Sequence, residues 1–499
     1  MPALPKIPLG WREPLHVAII AVVSLIGIGG AIAVYEIFKR DSDRSCPPPC
    51  TLEADEKPAS HAEQVKTVDW PLYGYDEQRS RYLPTKRVKP PFDSSVWSFQ
   101  AGKLLEFSPI VANGTLYFQD KDALFYALSA DKGKVLWKKD IGGLGAASPA
   151  YSHGVVFAVT LQRAPGIDQG EALALRAKDG KLLWRFPLPG RSETSPIVIG
   201  SHVIVGSESG DIYSLERKTG KPDWQVHTGG AVKGGLAYDN GVLFGANYAG
   251  QVFAIRASNG TYVWQSSTQG SSFGRGGPVY STLAVGFGRV YLGSIDTRVY
   301  SFDEDTGQLL WSHSTGDWVY AAPAVADTPK TDPTVYVGSK DQNFYALDAK
   351  TGAVRWQQRL GGVILGAASV LGENVYVAAL GPNIGTFGFN VKTGKKTFES
   401  DLGEYNPVIS DGARMYLTGT SGVRAFEHES MAEQRRSAHR RQAQRHRQAD
   451  AHRAKRQRQQ DARRAKRKRQ EAAHKAKQRK RKRQEAAHNA TKERQRPAH

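Results

Sequence analysis

Short apolar runs separated by turn residues fill the chain from about residue 94 to 428. Runs such as Thr334-Val335-Tyr336-Val337-Gly338 and Phe344-Tyr345-Ala346-Leu347-Asp348 alternate inward and outward positions, and Gly, Asn, Asp or Thr bound them. Period-two alternation between such turn residues predicts strands joined by hairpins. A glycine turn followed by tryptophan recurs at Gly133/Trp137, Gly180/Trp184, Gly220/Trp224, Gly260/Trp264, Gly307/Trp311 and Gly352/Trp356, and ends as Gly394/Phe398. Trp97 is an eighth anchor with no turn of its own. Spacings from Trp97 onward are 40, 47, 40, 40, 47, 45 and 42 residues. Repeats of roughly 40–45 residues built from short strands predict the blades of a β-propeller.

Strand-one starts are expected at Ser108, Ser148, Ser195, Gly234, Gly277, Ala322, Ala368 and Asn406. Only seven tryptophan-type strands follow a start, and the last repeat ends near Phe426 without one. Trp97 supplies the missing strand from the front. The expected fold is therefore all-β and eight-bladed, closed by pairing residues 94–101 with the final blade. Such closure leaves no free sheet edge.

Charge separates this body from the C-terminal segment. Residues 431–499 hold 26 Lys and Arg against 6 Asp and Glu, which accounts for the whole net charge of +20. Residues 1–430 are neutral overall. The basic tail has no aromatic residue and, from residue 432, no aliphatic larger than Ala; Lys466–His474 recurs as Lys480–His488. Its residues favour helix individually. It has no apolar seam for a coiled coil, and self-repulsion predicts disorder or partial helix in isolation. A segment of this kind binds polyanions by counterion release. The candidates are anionic lipid, an anionic wall polymer or nucleic acid, and the lack of aromatics argues against base stacking.

Val17 to Val34 carries no charge and is just long enough to span a bilayer. Boundaries are set at 1–14 for an N-terminal tail, 15–38 for a transmembrane anchor, 39–66 for a linker, 67–430 for the propeller and 431–499 for the tail. Ala31-Ile32-Ala33 also fits a cleaved signal peptide, so both readings stand, and each carries the propeller to a membrane. Lys6 and Arg12 on one flank against Lys39, Arg40 and Arg44 on the other leave the orientation weakly set; an exported, single-pass protein is expected. Asp43-Arg44-Ser45 before Cys46 lacks the small apolar residues of a lipoprotein signal. Cys46 and Cys50, the only two cysteines, could pair within the chain, stay free or bridge two chains.

The phrase Tyr345-Ala346-Leu347-Asp348-Ala349-Lys350-Thr351-Gly352 to Trp356 resembles the repeat of pyrroloquinoline-quinone (PQQ)-type propellers. The segment Asp69-Trp70-Pro71-Leu72-Tyr73-Gly74-Tyr75-Asp76, with Arg81-Tyr82 and Pro84, is similar to the start of those domains. The resemblance covers about residues 67–428. It implies an eight-bladed fold and two kinds of activity: quinoprotein dehydrogenases that use PQQ and calcium, and non-catalytic scaffolds such as the outer-membrane barrel-assembly lipoprotein. Dehydrogenases of this type usually set a vicinal cysteine pair against the quinone, whereas residues 51–499 contain no cysteine. No catalytic, cofactor or metal ligand is transferred to this chain. A binding scaffold is expected, with PQQ and calcium as the alternative.

A ligand or protein partner is expected at the channel mouth, just ahead of each innermost strand. Three residues before the aligned proline or its equivalent stand Glu106, Ala146, Glu193, Val232, Arg275, Tyr320, Gly366 and Glu404, with Arg191, Lys233 and Trp318 nearby. A rim mixing Glu, Arg and aromatics could grip a peptide or a small polar ligand; a solvated rim of local ion pairs is the plainer reading. The Gly206-Ser207-Glu208-Ser209-Gly210 string matches a nucleophile elbow but occupies a hairpin, where a strand-to-helix turn is required.

Overall fold

The computed structural model describes residues 67–494, apart from 165, 271–275 and 382–384. The anchor at 15–38, the linker at 39–66, the pair Cys46 and Cys50, and Arg275 therefore lie outside the described residues. Among those described, no helix is long and apolar enough to cross a membrane.

The described residues form eight sheets, antiparallel throughout except where Tyr82–Leu83 adds a short parallel strand to Ser369–Leu371. Naming each by its first and last strands, blade 1 runs from Ile110–Ala112 to Val135–Asp140, blade 2 from Ala150–Ser152 to Leu182–Pro187, and blade 3 from Ile197–Ile199 to Pro222–His227. Blade 4 runs from Ala237–Asp239 to Tyr262–Ser267, blade 5 from Ala284–Gly286 to Leu309–Ser314, blade 6 from Ala324–Thr328 to Val354–Arg359, and blade 7 from Ser369–Leu371 to Lys396–Ser400. Blade 8 takes three strands from Ile409–Ser410, Arg414–Thr418 and Gly422–His428. Its fourth, Phe92–Gln100, comes from the front of the chain and pairs Trp97 with Ala425. The eight blades and the closure both agree with the sequence expectation.

Each tryptophan locks its blade to the next. Its ring lies over the turn glycine of the following blade, where an added Cβ would come within 2.5–2.8 Å of the indole at all seven glycines. These glycines also hold φ between +64 and +73, a conformation that costs other residues energy. The indole N–H of Trp97, Trp137, Trp184, Trp224, Trp264, Trp311 and Trp356 donates to a backbone carbonyl of that same turn region at 2.8–3.1 Å. One feature of the repeat therefore satisfies sterics, a buried donor and aromatic burial together.

The eighth interface explains why the last anchor is Phe398. Strand three of blade 8 ends at His428 and strand four begins at Phe92, so no glycine turn joins them and no turn carbonyl awaits an indole. Phe398 instead packs edge-on against Phe92 (5.4 Å) and Phe426 (6.0 Å). The core is correspondingly divided between neighbouring blades. Phe244 and Trp264 of blade 4, for example, pack with Val290 and Tyr300 of blade 5.

Residues 68–83 cross the channel as a plug that reaches all eight blades. Val68 N–H donates to Asp411 in blade 8, and Trp70 pairs with Val111 in blade 1. The carbonyls of Pro71, Glu77, Gln78, Ser80 and Arg81 accept from Tyr151, Tyr238, Val285, Val325 and Val370 of blades 2, 4, 5, 6 and 7. Blade 3 is held by the Arg79 guanidinium, which donates to the carbonyls of Ser195 (3.1 Å) and Pro196 (3.2 Å), and to Leu236 in blade 4 (2.9 Å). Arg79 and Arg81 are fully buried. Burial first, and the neighbouring Arg81 charge second, push the Arg79 pKa down to about 9.

Of the two states expected for the tail, disordered or helical, the structure shows the helical one, and shows it unbroken. Residues Glu429–Arg494 form one α-helix, α1, of 66 residues, about 99 Å long at 1.5 Å per residue. It contains no Gly or Pro and is rich in the strongest helix formers. Its first turns dock on blade 8, which relieves the cost of nucleation. There Ala432 is buried, Arg435 meets Glu427 at 2.7 Å, and Arg436 pairs with Asp93. Pairs four residues apart, such as Arg481–Glu485 at 3.4 Å, add a little further along. From Arg436 to Ala490 every residue is exposed.

The lock can be tested by substitution and thermal melting of the full chain. Gly307→Ala, at φ +72 and 2.5 Å from the Trp264 ring, should cost about 2–4 kcal/mol through strain and displacement of the ring. Trp264→Phe, which loses the 2.8 Å bond to the Glu304 carbonyl, should cost about 1–3 kcal/mol. Melts unchanged by both would refute the lock.

Candidate functional site

The innermost strands have a common register, because the first residue of each faces an equivalent partner in strand two. Examples are Ile110 with Tyr117, Ala237 with Phe244, Ala284 with Tyr291 and Ile409 with Tyr416. Four residues ahead of these starts stand Glu106, Ala146, Glu193, Lys233, Tyr280, Tyr320, Leu365 and Tyr405. Each plug contact on an innermost strand lies five residues further on (Val111, Tyr151, Tyr238, Val285, Val325, Val370), about 16 Å of extended chain. The plug thus closes one end of the channel and this polar ring stands at the other.

The register changes four of the eight expected rim positions. Lys233 takes the place given to Val232, which is buried in the core. Leu365 replaces Gly366, and Tyr405 replaces Glu404. Tyr280 holds the blade 5 position expected for Arg275, because blade 5 begins at Ala284, seven residues beyond the Gly277-Pro278 pair that mimics a strand start. Glu106, Ala146, Glu193 and Tyr320 hold the positions expected of them. Counting back from the Ala-Val pairs Ala284-Val285 and Ala324-Val325, instead of from prolines, would have found Tyr280.

The ring is a connected network. Lys233 Nζ lies 2.9 Å from Glu208 and 3.6 Å from Glu193. The Tyr280 hydroxyl donates to Glu193, linking blade 5 to blade 3 past Lys233. Tyr280 packs edge-on to Tyr320 at 5.4 Å, and Tyr320 to Trp318 at 5.7 Å. Lys340 sits 4.3 Å from the Trp318 ring centre, and Lys233 lies about 6 Å from the rings of both Tyr248 and Tyr280. Glu404 accepts from the Thr420 hydroxyl. Arg191 anchors the Ser207–Glu208 turn through its carbonyl, while its buried Nε meets no acceptor among the described residues.

Electrostatics follow from this enclosure. Glu106 is exposed at its tip but stands in the narrow channel mouth with protein on most sides. That enclosure first, and the Glu193 charge second, raise its pKa to about 7, with Lys121 opposing. Burial works against the Lys233 ammonium, but Glu193 and Glu208 outweigh it and leave its pKa raised. Burial, then the Glu193 charge, drives the Tyr280 phenol well above 10.0. Burial raises Tyr320 to about 12.

The donor set suits PQQ poorly. That quinone carries three carboxylates, whereas the eight ring positions present Glu106 and Glu193, and the amine among them, Lys233, is already shared between Glu193 and Glu208. The Glu193–Tyr280 bond also ties blade 3 to blade 5 within the ring and occupies the second of these carboxylates. Among the described residues no three His, Cys, Asp or Glu side chains gather as metal ligands would.

Glu106→Gln gives a test with a definite sign. A folded pKa raised from 4.5 to about 7 makes wild-type stability fall as pH rises through that window. The Gln variant should therefore melt higher than wild type at pH 8 and at nearly the same temperature at pH 5. A variant that melts lower at pH 8 would show that the charged Glu106 is stabilised in the folded state.

Comparison with known proteins agrees with the fold. A family profile described as outer membrane protein assembly factor BamB matches residues 86–231, 210–326 and 297–424. BamB of Moranella endobia is 25% identical over 269 residues, 48% of this chain and 68% of that protein. Quinoprotein glucose dehydrogenase of Escherichia coli is 24% identical over 274 residues, 45% of this chain but only 34% of its own length. The crystal structure of BamB from Moraxella catarrhalis superposes with a TM-score of 0.54 at 17% identity, covering 67% of this chain and 99% of that one. Three overlapping matches spanning residues 86–424 place this chain in the family of outer membrane protein assembly factor BamB.

Proposed function

We propose that this protein is a non-catalytic scaffold of the cell envelope, anchored in a membrane by residues 15–38, that docks a protein partner on the ring face of its propeller. One observation carries the reading: the described chain begins and leaves its propeller on the same face. Val68 bonds Asp411 in the turn between the first two strands of blade 8. α1 starts where the third strand of that blade ends, and its Glu429 N–H bonds Pro91. Both events lie on the plug face. Among the described residues the ring face carries the connections between blades and the Glu, Lys and Tyr network. With Val68 and the start of the basic helix on one face, the other face is open to a partner.

The basic helix would lie along an anionic surface, held by its charge and weakened by salt. Lipid headgroups or wall polymers suit an exported protein. Nucleic acid would be the partner if the helix were cytoplasmic. The likeness to BamB, whose name describes outer-membrane protein assembly, supports a scaffold. The likeness to quinoprotein glucose dehydrogenase keeps a PQQ-dependent oxidoreductase as the second reading.

Two measurements separate these readings. A photo-crosslinking residue at Tyr405 on the ring face should yield one discrete product in intact cells, and Glu193→Ala with Lys233→Ala should abolish it. The same residue at Lys218, on the plug face, should yield no such product; the reverse pattern would overturn the assignment of faces. Titration of the full chain with PQQ and calcium should show no saturable change in tryptophan fluorescence. Saturation at micromolar concentration would favour the oxidoreductase.

A further inference from the structure

A cavity of about 430 Å³ opens between blades 5 and 6, on the plug side of the propeller and away from the ring. Phe287, Arg289, Asp332, Asp348, Lys350 and Arg355 line it. Two features of its wall are unusual for this fold.

The first is Phe287. It sits in the turn joining the first two strands of blade 5, in the left-handed region at φ +59. The equivalent turns use Asn113, His153 and Asn240, or Gly200 and Gly372, at that conformation. Asn and Gly accept it easily, but a bulky aromatic does not. Phe287 is nevertheless 48% exposed, so packing in the core does not account for it. What it does is hold an aromatic face at the rim of the cavity.

The second is Arg289. Its Nη1 is buried and meets no acceptor among the described residues. Asp303, opposite Arg289 across the strands, feels its charge but makes no ion pair with it within 4.0 Å, and its Oδ1 accepts from the Thr306 N–H (2.9 Å) and hydroxyl (2.7 Å). Asp348 and Asp332 are drawn to Arg355, at 2.6 Å and 3.9 Å. Lys350, at the mouth, makes no ion pair within 4.0 Å among the described residues. A buried guanidinium N–H without an acceptor is costly, and a charged acceptor there is correspondingly favourable.

We propose that this cavity binds a small organic anion on a flat apolar stem, its carboxylate or phosphate head on Arg289 and Lys350 and its stem against Phe287. The head takes the guanidinium edge of Arg289 that lines the cavity, a side chain with no hydrogen-bond partner among the described residues. The stem buries the exposed ring by stacking. The basic helix α1 attracts any anion weakly and non-selectively, so dependence on the stem and on the cavity side chains distinguishes this site from it.

The test is calorimetric titration of the full chain with phenyl phosphate, benzoate and inorganic phosphate. Phenyl phosphate should bind one to one and about tenfold or more tighter than inorganic phosphate, and benzoate should also saturate. Arg289→Met should weaken phenyl phosphate about tenfold or more. Phe287→Asn should erase the preference for the phenyl compound while raising the melting temperature, since Asn suits the turn. If Arg289→Met fails to fold, Arg289→Lys takes its place and should bind more weakly than wild type for want of the second donor. Equal affinity for phenyl phosphate and inorganic phosphate, or binding unchanged in both the Phe287 and Arg289 variants, would refute the site.

Discussion

The structure depends on the contact between each tryptophan and the turn glycine of the next blade. A four-stranded sheet has two faces and cannot bury both alone, so blades are stable only as neighbours. The indole supplies the area, its N–H finds the turn carbonyl, and the glycine leaves the room. Repeated seven times, this contact fixes the rotation from blade to blade, and the eighth interface must be made differently. There the fourth strand arrives from the front of the chain, no turn exists to cover, and Phe398 suffices against Phe92 and Phe426.

The plug depends on that ring in turn. Residues 68–83 have little regular structure of their own and draw their order from backbone bonds to seven blades and from the Arg79 side chain to the remaining one. Arg79 and Arg81 are held there largely by carbonyl oxygens rather than by carboxylates. Such sites work only where surrounding dipoles are already fixed. The plug also gives the propeller two unlike faces, one sealed and joined to both ends of the described chain, the other open and lined with Glu, Lys and Tyr.

The blades, their number and the closing strand were legible because they rest on local signals: period-two alternation, turn glycines and evenly spaced aromatics. The rim was half legible. Prolines marked strand starts correctly at Pro109, Pro149, Pro196 and Pro323. At Gly277-Pro278 the same letters belong to a longer connection, and one misplaced start hid Tyr280. Lys233 was named beside the rim rather than at its blade 4 position, given to the buried Val232, and Tyr405 was missed by a single residue. The plug was invisible in detail, because many of its bonds pair residues far apart in the chain and involve backbone atoms that carry no sequence signature. The long helix was underestimated because charge repulsion was weighed without the docked first turn, where Ala432, Arg435 and Arg436 meet blade 8.

The central claim is that the face away from the plug is the working face. Hydrogen exchange of the full chain, purified and again within the native envelope fraction, tests it directly. The account predicts new protection at the ring-face loops around 208–210, 248–250 and 340–342, with the turns around 131–133, 218–220 and 350–352 unchanged. Protection confined to those glycine turns would contradict it.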